Sequence, residues 1–171
     1  TYKRRRDAMT TLREEFDIPI LDAVEIDYHP EDEAQIREFF NEAGFDYTVG
    51  SVHFIDDVNI HRVQHFEQMN TAEREDAVDR YFEMLVSMIE SELVDIAAHM
   101  DVIERDPALR GIADIKHYEA VAEALSSSST VPEINGGRLL DDYGQPHPSE
   151  QFFEVLREHG IRFTFGTDSH T

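Results

Sequence analysis

The sequence predicts an α/β fold built on a parallel sheet. Apolar, β-compatible segments alternate along the chain with longer segments that have helical boundary signals, and this alternation is typical of βαβ units. The chain has 171 residues, a length that suits one domain with a sizeable core or a fragment of a larger domain. Hydrophobic residues make up 40% of the chain, so we expect it to fold despite its acidity.

Five segments carry the signals of helices. Pro30 is expected to open the second helix, and Gly44 to end it. Asn70 and Glu73 have the spacing of a capping box at the start of the third. Gly160 is expected to end the last helix. The predicted helices are residues 2–15, 30–42, 71–92, 113–125 and 149–159, the last of them capped by Ser149.

The apolar segments between these helices are predicted to be strands. They are short, rich in Val, Ile and Phe, and bounded by turn residues, as strands of a buried sheet are. Residues 54–70 and the serine run 126–129 are interpreted as loops. The predicted strands are residues 18–27, 46–53, 93–98, 130–134 and 161–165.

Charge and composition exclude several classes of function. The chain has 37 Asp and Glu against 15 Lys and Arg, which gives a formal net charge of -22. Such a field repels duplex nucleic acid and anionic lipid, so we expect neither as a partner. The lack of cysteine excludes disulfides and thiolate metal sites. No apolar run approaches the roughly 18 residues of a membrane span, and a cytoplasmic protein is expected.

The acidity also suggests a salt-loving host. The only lysines are Lys3 and Lys116, and carboxylates recur on nearly every predicted helix face. At molar salt the Debye length is only about 3 Å, so such a shell barely repels itself. An ordinary acidic enzyme is the alternative. A melting temperature that does not rise between low and multimolar KCl would contradict the halophilic interpretation.

Each predicted strand ends in, or is followed directly by, a polar group, and most of these groups can bind a metal. Because the carboxyl ends of parallel strands form one rim, we expect these groups to meet there. Imidazole and carboxylate together suit Zn, Mn or Fe better than Ca or Mg. In strand order the groups are Glu25, His53, His99, Glu133 with Asn135, and Asp168 with His170.

A single histidine after a strand is more often a core or capping residue than a ligand, so the joint placement carries the metal hypothesis. His61 and His65 lie four residues apart, a spacing that places both on one helix face. They lack the helper glutamate of helical zinc motifs, and we do not assign them to a metal. Six histidines do not belong to the predicted site and lie in loops or helices, and most of them are interpreted as surface residues. They are His29, His61, His65, His117, His147 and His159.

Five short motifs stand out along the chain: VEIDY at 24–28, VGSVHFID at 49–56, AAHMDVIER at 97–105, PEINGG at 132–137 and GTDSH at 166–170. Together they resemble the polymerase and histidinol phosphatase (PHP) family of metal-dependent phosphoesterases, and most closely its histidinol-phosphatase branch. They occur in the family's order and cover most of the chain.

The resemblance implies a distorted TIM-like barrel of seven βα units, with up to three divalent metals at the carboxyl ends of the strands. Glu25 matches a bridging carboxylate that shares one metal position with His53 and His99. Asp168 matches a ligand of a second metal, and His170 matches a ligand of the third.

The implied function is hydrolysis of a small phosphate monoester by attack of a metal-bridging hydroxide. Glu133 and Asn135 match a pocket-lining segment of the family. Asp168 is also a candidate for handling the proton of the leaving group. Arg105 and Arg138 follow rim strands and are candidates for binding the phosphate.

The chain departs from the family pattern at its start. The family has a His-x-His pair on its first strand, and no histidine precedes Glu25. We therefore expect residues 1–171 to be a single PHP-type domain that lacks its first strands, and we favour truncation over loss of metals. Two other functions stay open: a PHP-type phosphodiesterase or nuclease, and a non-catalytic metal-binding domain. The sequence leaves the oligomeric state undetermined.

Overall fold

The structure, a computed structural model, describes residues 2–137, 139 and 143–169. Its strands, in chain order, are β1 (Ala23–Asp27), β2 (Tyr47–Ser51), β3 (Phe54–Ile55), β4 (Val58–Asn59), β5 (Ile96–Ala97), β6 (Val131–Asn135) and β7 (Thr164–Gly166). Its helices are α1 (Tyr2–Glu15), α2 (Glu33–Ala43), α3 (Val63–Glu67), α4 (Thr71–Glu90), α5 (Ile115–Ser126) and α6 (Glu150–Glu158), with 3₁₀ turns at Pro30–Asp32 and Val102–Arg105.

Five strands form one parallel sheet, in the order β1-β2-β5-β6-β7. Neighbours in the sheet follow one another along the chain, apart from the separate β3–β4 hairpin. The predicted α/β fold with a parallel sheet is thus confirmed. Within the described residues β1 and β7 are the two edges, so the sheet is open and the expected closed barrel of seven units is not observed.

The helix boundaries mostly match the sequence signals. Asn70 and Glu73 form the predicted capping box. Gly44 ends α2 with φ 61°, a left-handed conformation that glycine adopts without a steric penalty. Ser149 precedes α6 as predicted, but its side chain makes no capping hydrogen bond. Instead its backbone N–H donates to Asp101 Oδ2 at 2.7 Å.

The region between β2 and α4 is more ordered than the predicted loop. It contains the β3–β4 hairpin and the short helix α3. Asp56 and Asp57 form the two-residue turn of the hairpin, with φ values of 46° and 62°. Positive φ at both central positions is typical of a type I′ turn, which Asp tolerates better than most residues.

Several strands are shorter than the apolar segments that predicted them. The segment 93–98 contributes only Ile96–Ala97 to the sheet, although Leu93 and Val94 are also buried. A run of apolar residues indicates that a segment is buried, but it does not indicate which residues form hydrogen bonds with the neighbouring strand.

The core lies between the sheet and its helices, and α4 supplies much of it. Tyr81, Leu85 and Met88 of this helix are almost fully buried. Gly50 of β2 lies directly beneath Met88, and an added Cβ would come within 2.7 Å of the Met88 sulfur. Helices α4, α5 and α6 pack side by side.

None of the helices in the described part of the chain combines the length and the hydrophobicity that a membrane span requires.

Candidate metal centre

Three neighbouring strands bring two histidines and a glutamate together at their carboxyl ends. Glu25 lies in β1, while His53 and His99 each lie two residues beyond the end of β2 and β5. One ligand atom from each side chain can be chosen so that all three lie within 4.8 Å of one another. The ring centroids of His53 and His99 are 5.0 Å apart. We call these three residues the triad.

The triad carries the charge distribution that a cation requires. His99 Nε2 lies 3.4 Å from Glu25 Oε1. Hydrogen bonding to His99 holds the pKa of Glu25 below its ordinary value, and partial burial opposes this shift without cancelling it. Glu25 is therefore ionised at neutral pH, and its side chain is 43% exposed, which leaves the triad accessible.

The orientation of His53 is set by neighbours outside the triad. Its Nδ1 lies 2.6 Å from Asp27 Oδ1 and 3.2 Å from Ser51 Oγ. The Ser51 hydroxyl donates to the Ile26 carbonyl, so it can only accept from Nδ1. We therefore assign the proton of His53 to Nδ1, which leaves the lone pair on Nε2 for a metal ion. A carboxylate behind a ligating histidine is the usual supporting arrangement in metal sites.

His99 is held in a costly conformation. It is buried, at 3% exposure, and its φ of 21° lies in the left-handed region that side chains disfavour. Its Nδ1 is buried without a hydrogen-bond partner among the described residues. Two imidazoles, a carboxylate and an unsatisfied ring nitrogen fit a divalent transition metal.

The other predicted site residues lie on β6 and beyond β7, and Glu133 of β6 is hydrogen-bonded to the triad residue His99. Glu133 Oε2 accepts from the Asn135 side chain at 2.9 Å and from the His99 backbone N–H at 3.4 Å. Asp168, with φ 47°, packs so close to Gly137 that a Cβ there would lie 2.8 Å from its own. Asp168 does not join the triad within the described part of the chain. His170 and Arg138 lie outside the described residues.

Arg105 ends the 3₁₀ turn that follows β5. Its Nε–H donates to His147 Nε2 at 2.8 Å. His147 Nδ1 in turn lies 2.6 Å from Asp101 Oδ1. The predicted surface position of His147 is wrong, since both His147 and Asp101 are fully buried. His147 lies between two prolines in a segment without regular secondary structure, so the hydrophobic pattern of the sequence gives no indication that it is buried.

Asp27 contacts the triad residue His53 and Asp101 contacts His147, and the sequence does not predict either contact. Each lies two positions after a predicted ligand, Asp27 after Glu25 and Asp101 after His99. In a strand such spacing places two side chains on one face, so the signal for Asp27 was present. His99 and Asp101 lie beyond the end of β5, where this periodicity no longer applies.

Comparison with known proteins identifies the class. The PHP domain family profile matches residues 3–135, and the chain belongs to this family. A histidinol-phosphatase of Lactococcus lactis subsp. lactis (strain IL1403) is 28% identical over 148 residues, which cover 80% of this chain and 52% of that protein. The chain thus spans about half the length of the curated relative it matches.

Two solved structures share the fold. A protein of Listeria monocytogenes described as a histidinol phosphatase superposes with a TM-score of 0.79 at 20% identity, covering 99% of this chain and 70% of that one. Histidinol phosphate phosphatase of Lactococcus lactis, complexed with zinc, L-histidinol and phosphate, gives a TM-score of 0.77 at 23% identity and covers 99% of this chain and 67% of that one.

Proposed function

We propose that this chain forms much of a metal-dependent phosphomonoesterase that acts on a small phosphate ester of the histidinol phosphate class. The convergence of Glu25, His53 and His99 from three strands is the observation that carries the proposal. The Lactococcus lactis neighbour, whose crystals hold zinc, L-histidinol and phosphate, supports the same assignment of metal and substrate class.

The triad residues would hold a divalent metal ion. Bound there, the ion supplies positive charge to the phosphoryl oxygens and lowers the pKa of a coordinated water. Glu25 would contribute a negative charge that offsets part of the charge of the ion, and His53 and His99 would contribute neutral nitrogens. Asp27 and Ser51 keep the His53 proton on Nδ1, so that Nε2 faces the ion. Zn, Mn and Fe all suit this donor set.

Of the two arginines proposed to bind the phosphate, Arg105 is the one that the structure describes. A guanidinium matches the geometry of phosphate oxygens. Glu133 and Asn135 would line the pocket beside His99. Asp168 and His170 are proposed as ligands of further ions, up to three in total, and Asp168 also as a group that handles the leaving-group proton. Arg138 is a second candidate for phosphate binding.

The finer architecture also belongs to the proposal. We infer that the open sheet is the larger part of a distorted barrel of seven βα units, in a single PHP-type domain over residues 1–171. The parallel strand order supports this inference. The salt-loving host, the cytoplasmic location and the absence of a duplex nucleic-acid partner stay predictions.

Replacing Glu25 with Gln tests the metal centre. The variant keeps the shape of the side chain but removes its charge, so we expect bound metal to be lost and phosphatase activity to fall at least about 100-fold. Metal content is measured by atomic emission and activity on histidinol phosphate. Glu42→Gln is the matched control, an exposed glutamate of α2, and should leave both unchanged. Wild-type activity with full metal content in Glu25→Gln would refute the assignment.

A substrate screen separates the proposed function from its alternatives. Histidinol phosphate, nucleoside monophosphates and single-stranded DNA are offered to the metal-loaded protein. Preferential hydrolysis of histidinol phosphate supports the proposal. Cleavage of DNA alone would indicate a phosphodiesterase, and metal binding without any turnover would indicate a non-catalytic domain.

A further inference from the structure

A buried chain of hydrogen bonds runs from the segment before α6 to Arg105. The Ser149 backbone N–H donates to Asp101 Oδ2 at 2.7 Å, and Asp101 Oδ1 lies 2.6 Å from His147 Nδ1. His147 Nε2 then accepts from Arg105 Nε at 2.8 Å. We call Asp101, His147 and Arg105 the relay. Under the proposed function only Arg105 has a role, whereas Asp101 and His147 have none.

The protonation of the relay follows from its donors. The Arg105 Nε–H can only donate, so His147 Nε2 carries a lone pair and the imidazole proton lies on Nδ1. That proton is donated to Asp101. Burial lowers the pKa of His147, which opposes a second proton. Both ring nitrogens are therefore engaged, and His147 is not free to bind a metal.

Asn135 and Tyr143 also fix the position of His147. Its backbone N–H donates to the Asn135 carbonyl at 2.9 Å, and its carbonyl accepts from the Asn135 N–H at 2.7 Å. The Tyr143 ring stacks on the imidazole, with centroids 4.8 Å apart and planes within 12° of each other. The imidazole thus presents a fixed acceptor to Arg105, tied to the end of β6.

The relay lies beside the triad. The ring centroid of His147 is 6.5 Å from that of His99. A free arginine side chain carries about 2 kcal/mol of rotamer entropy that binding a ligand would have to remove. A fixed acceptor on Nε reduces this cost before an anion arrives, because it orients the plane of the guanidinium.

We propose that Asp101 and His147 are positioning residues, which fix the Arg105 guanidinium beside the metal centre as the group that binds the phosphate of the substrate. The proposal rests on the phosphomonoesterase function above. It goes beyond that function by assigning a role to a carboxylate and an imidazole that neither touch the substrate nor hold a metal.

Two substitutions of His147 separate positioning from a merely structural role. In His147→Gln the side-chain carbonyl can take the place of Nε2 and accept from Arg105, while the bond to Asp101 is lost. In His147→Asn the amide N–H can take the place of Nδ1 and donate to Asp101, while the Arg105 Nε–H loses the acceptor that His147 provided. Each variant loses one buried hydrogen bond, so a structural role predicts similar effects of both.

The readout is the dissociation constant of inorganic phosphate, measured by calorimetry on the metal-loaded protein, together with kcat and KM for 4-nitrophenyl phosphate. We expect His147→Asn to weaken phosphate binding about 10-fold and to raise KM more than it lowers kcat. His147→Gln should stay within about 3-fold of wild type. Equal losses in the two variants, with unchanged metal content, would overturn the proposal.

Substitutions of Arg105 complete the test. Arg105→Ala should weaken phosphate binding, and adding His147→Asn to it should cost nothing further, whereas additive losses would contradict the relay. Should His147→Asn fail to fold, Arg105→Lys is decisive. It keeps the charge but lacks the Nε–H, and we expect about a 10-fold loss of phosphate affinity; wild-type affinity would overturn the proposal.

The two proposals fail in different ways. A wild-type protein that binds phosphate but hydrolyses no ester contradicts the enzymatic function, while the Asn and Gln variants still test the relay. A protein that hydrolyses esters with both His147 variants affected equally keeps its function and loses the relay. Wild-type protein that binds no phosphate at all overturns the relay.

Discussion

Two aspartate–histidine pairs in this protein share one geometry and differ in environment. Asp27 Oδ1 lies 2.6 Å from His53 Nδ1, and Asp101 Oδ1 lies 2.6 Å from His147 Nδ1. In the first pair the Asp side chain is 51% exposed and the His 22%, whereas both members of the second are 0% exposed. In each pair the carboxylate places the imidazole proton on Nδ1 and directs the Nε2 lone pair elsewhere.

The difference lies in what receives that lone pair. His53 Nε2 is available at the accessible triad, where a cation can approach. His147 Nε2 already accepts from Arg105, and its partner Asp101 also accepts from the Ser149 N–H. The same aspartate–histidine arrangement therefore orients a candidate metal ligand where solvent reaches the pair. Where the pair is buried, it holds the Arg105 side chain instead.

Stability provides the largest expected contrast between the pairs. Asp101→Ala would leave the His147 Nδ1–H and the Ser149 N–H buried without an acceptor, so we expect it to lower the free energy of unfolding by about 3–5 kcal/mol. Asp27→Ala should lower it by less than about 1 kcal/mol, because the exposed pair is solvated. Urea unfolding measures both. Equal losses would show that burial does not distinguish the pairs.

Metal affinity should show the opposite contrast. Asp27→Ala frees His53 to rotate and to change tautomer, and we expect the affinity of the triad for Zn²⁺ to fall about 10- to 100-fold. Competition with a chromophoric chelator measures this value. Asp27→Asn serves as the matched variant, since its carbonyl can still accept from Nδ1, and it should recover part of the loss. Unchanged affinity in Asp27→Ala would remove Asp27 from the site.

The pH dependence of stability gives the smallest effect. Burial lowers the pKa of His147 below its ordinary value of 6.5, so below that pH the unfolded chain binds more protons at this residue than the folded one. This contribution to stability is complete above pH 6.5 and is lost as the pH falls toward the lower pKa of the folded state. The imidazole faces Asp101, Arg105, Tyr143 and His99.

His147→Gln removes the titrating group and should flatten the dependence of unfolding free energy on pH just below 6.5. An unaltered slope in His147→Gln would show that the folded and unfolded states bind the same protons at His147.

The sequence predicted the half of the site that follows from strand topology. Glu25 lies within β1 and His53 and His99 lie two residues beyond the ends of β2 and β5, and parallel strands bring such positions toward one rim. The same rule grouped Asp168 with them. In the structure the Asp168 side chain packs against Gly137, next to Asn135, because the path of a chain beyond its strand depends on close contacts that strand periodicity does not encode.

The sequence by itself determined the alternation of strands and helices and the parallel sheet, because both follow from local periodicity and from the polarity of parallel strands, and it placed Glu25, His53 and His99 among five groups expected at one rim; only the resemblance to the PHP family joined these three into one metal position. Only the tertiary structure decided that Asp101 and His147 are buried together and that Asp27 orients His53. Asp101 and His147 are separated by 46 residues along the chain, and Asp27 and His53 by 26. Contacts at such separations, and the protonation they impose, arise from packing rather than from any local pattern.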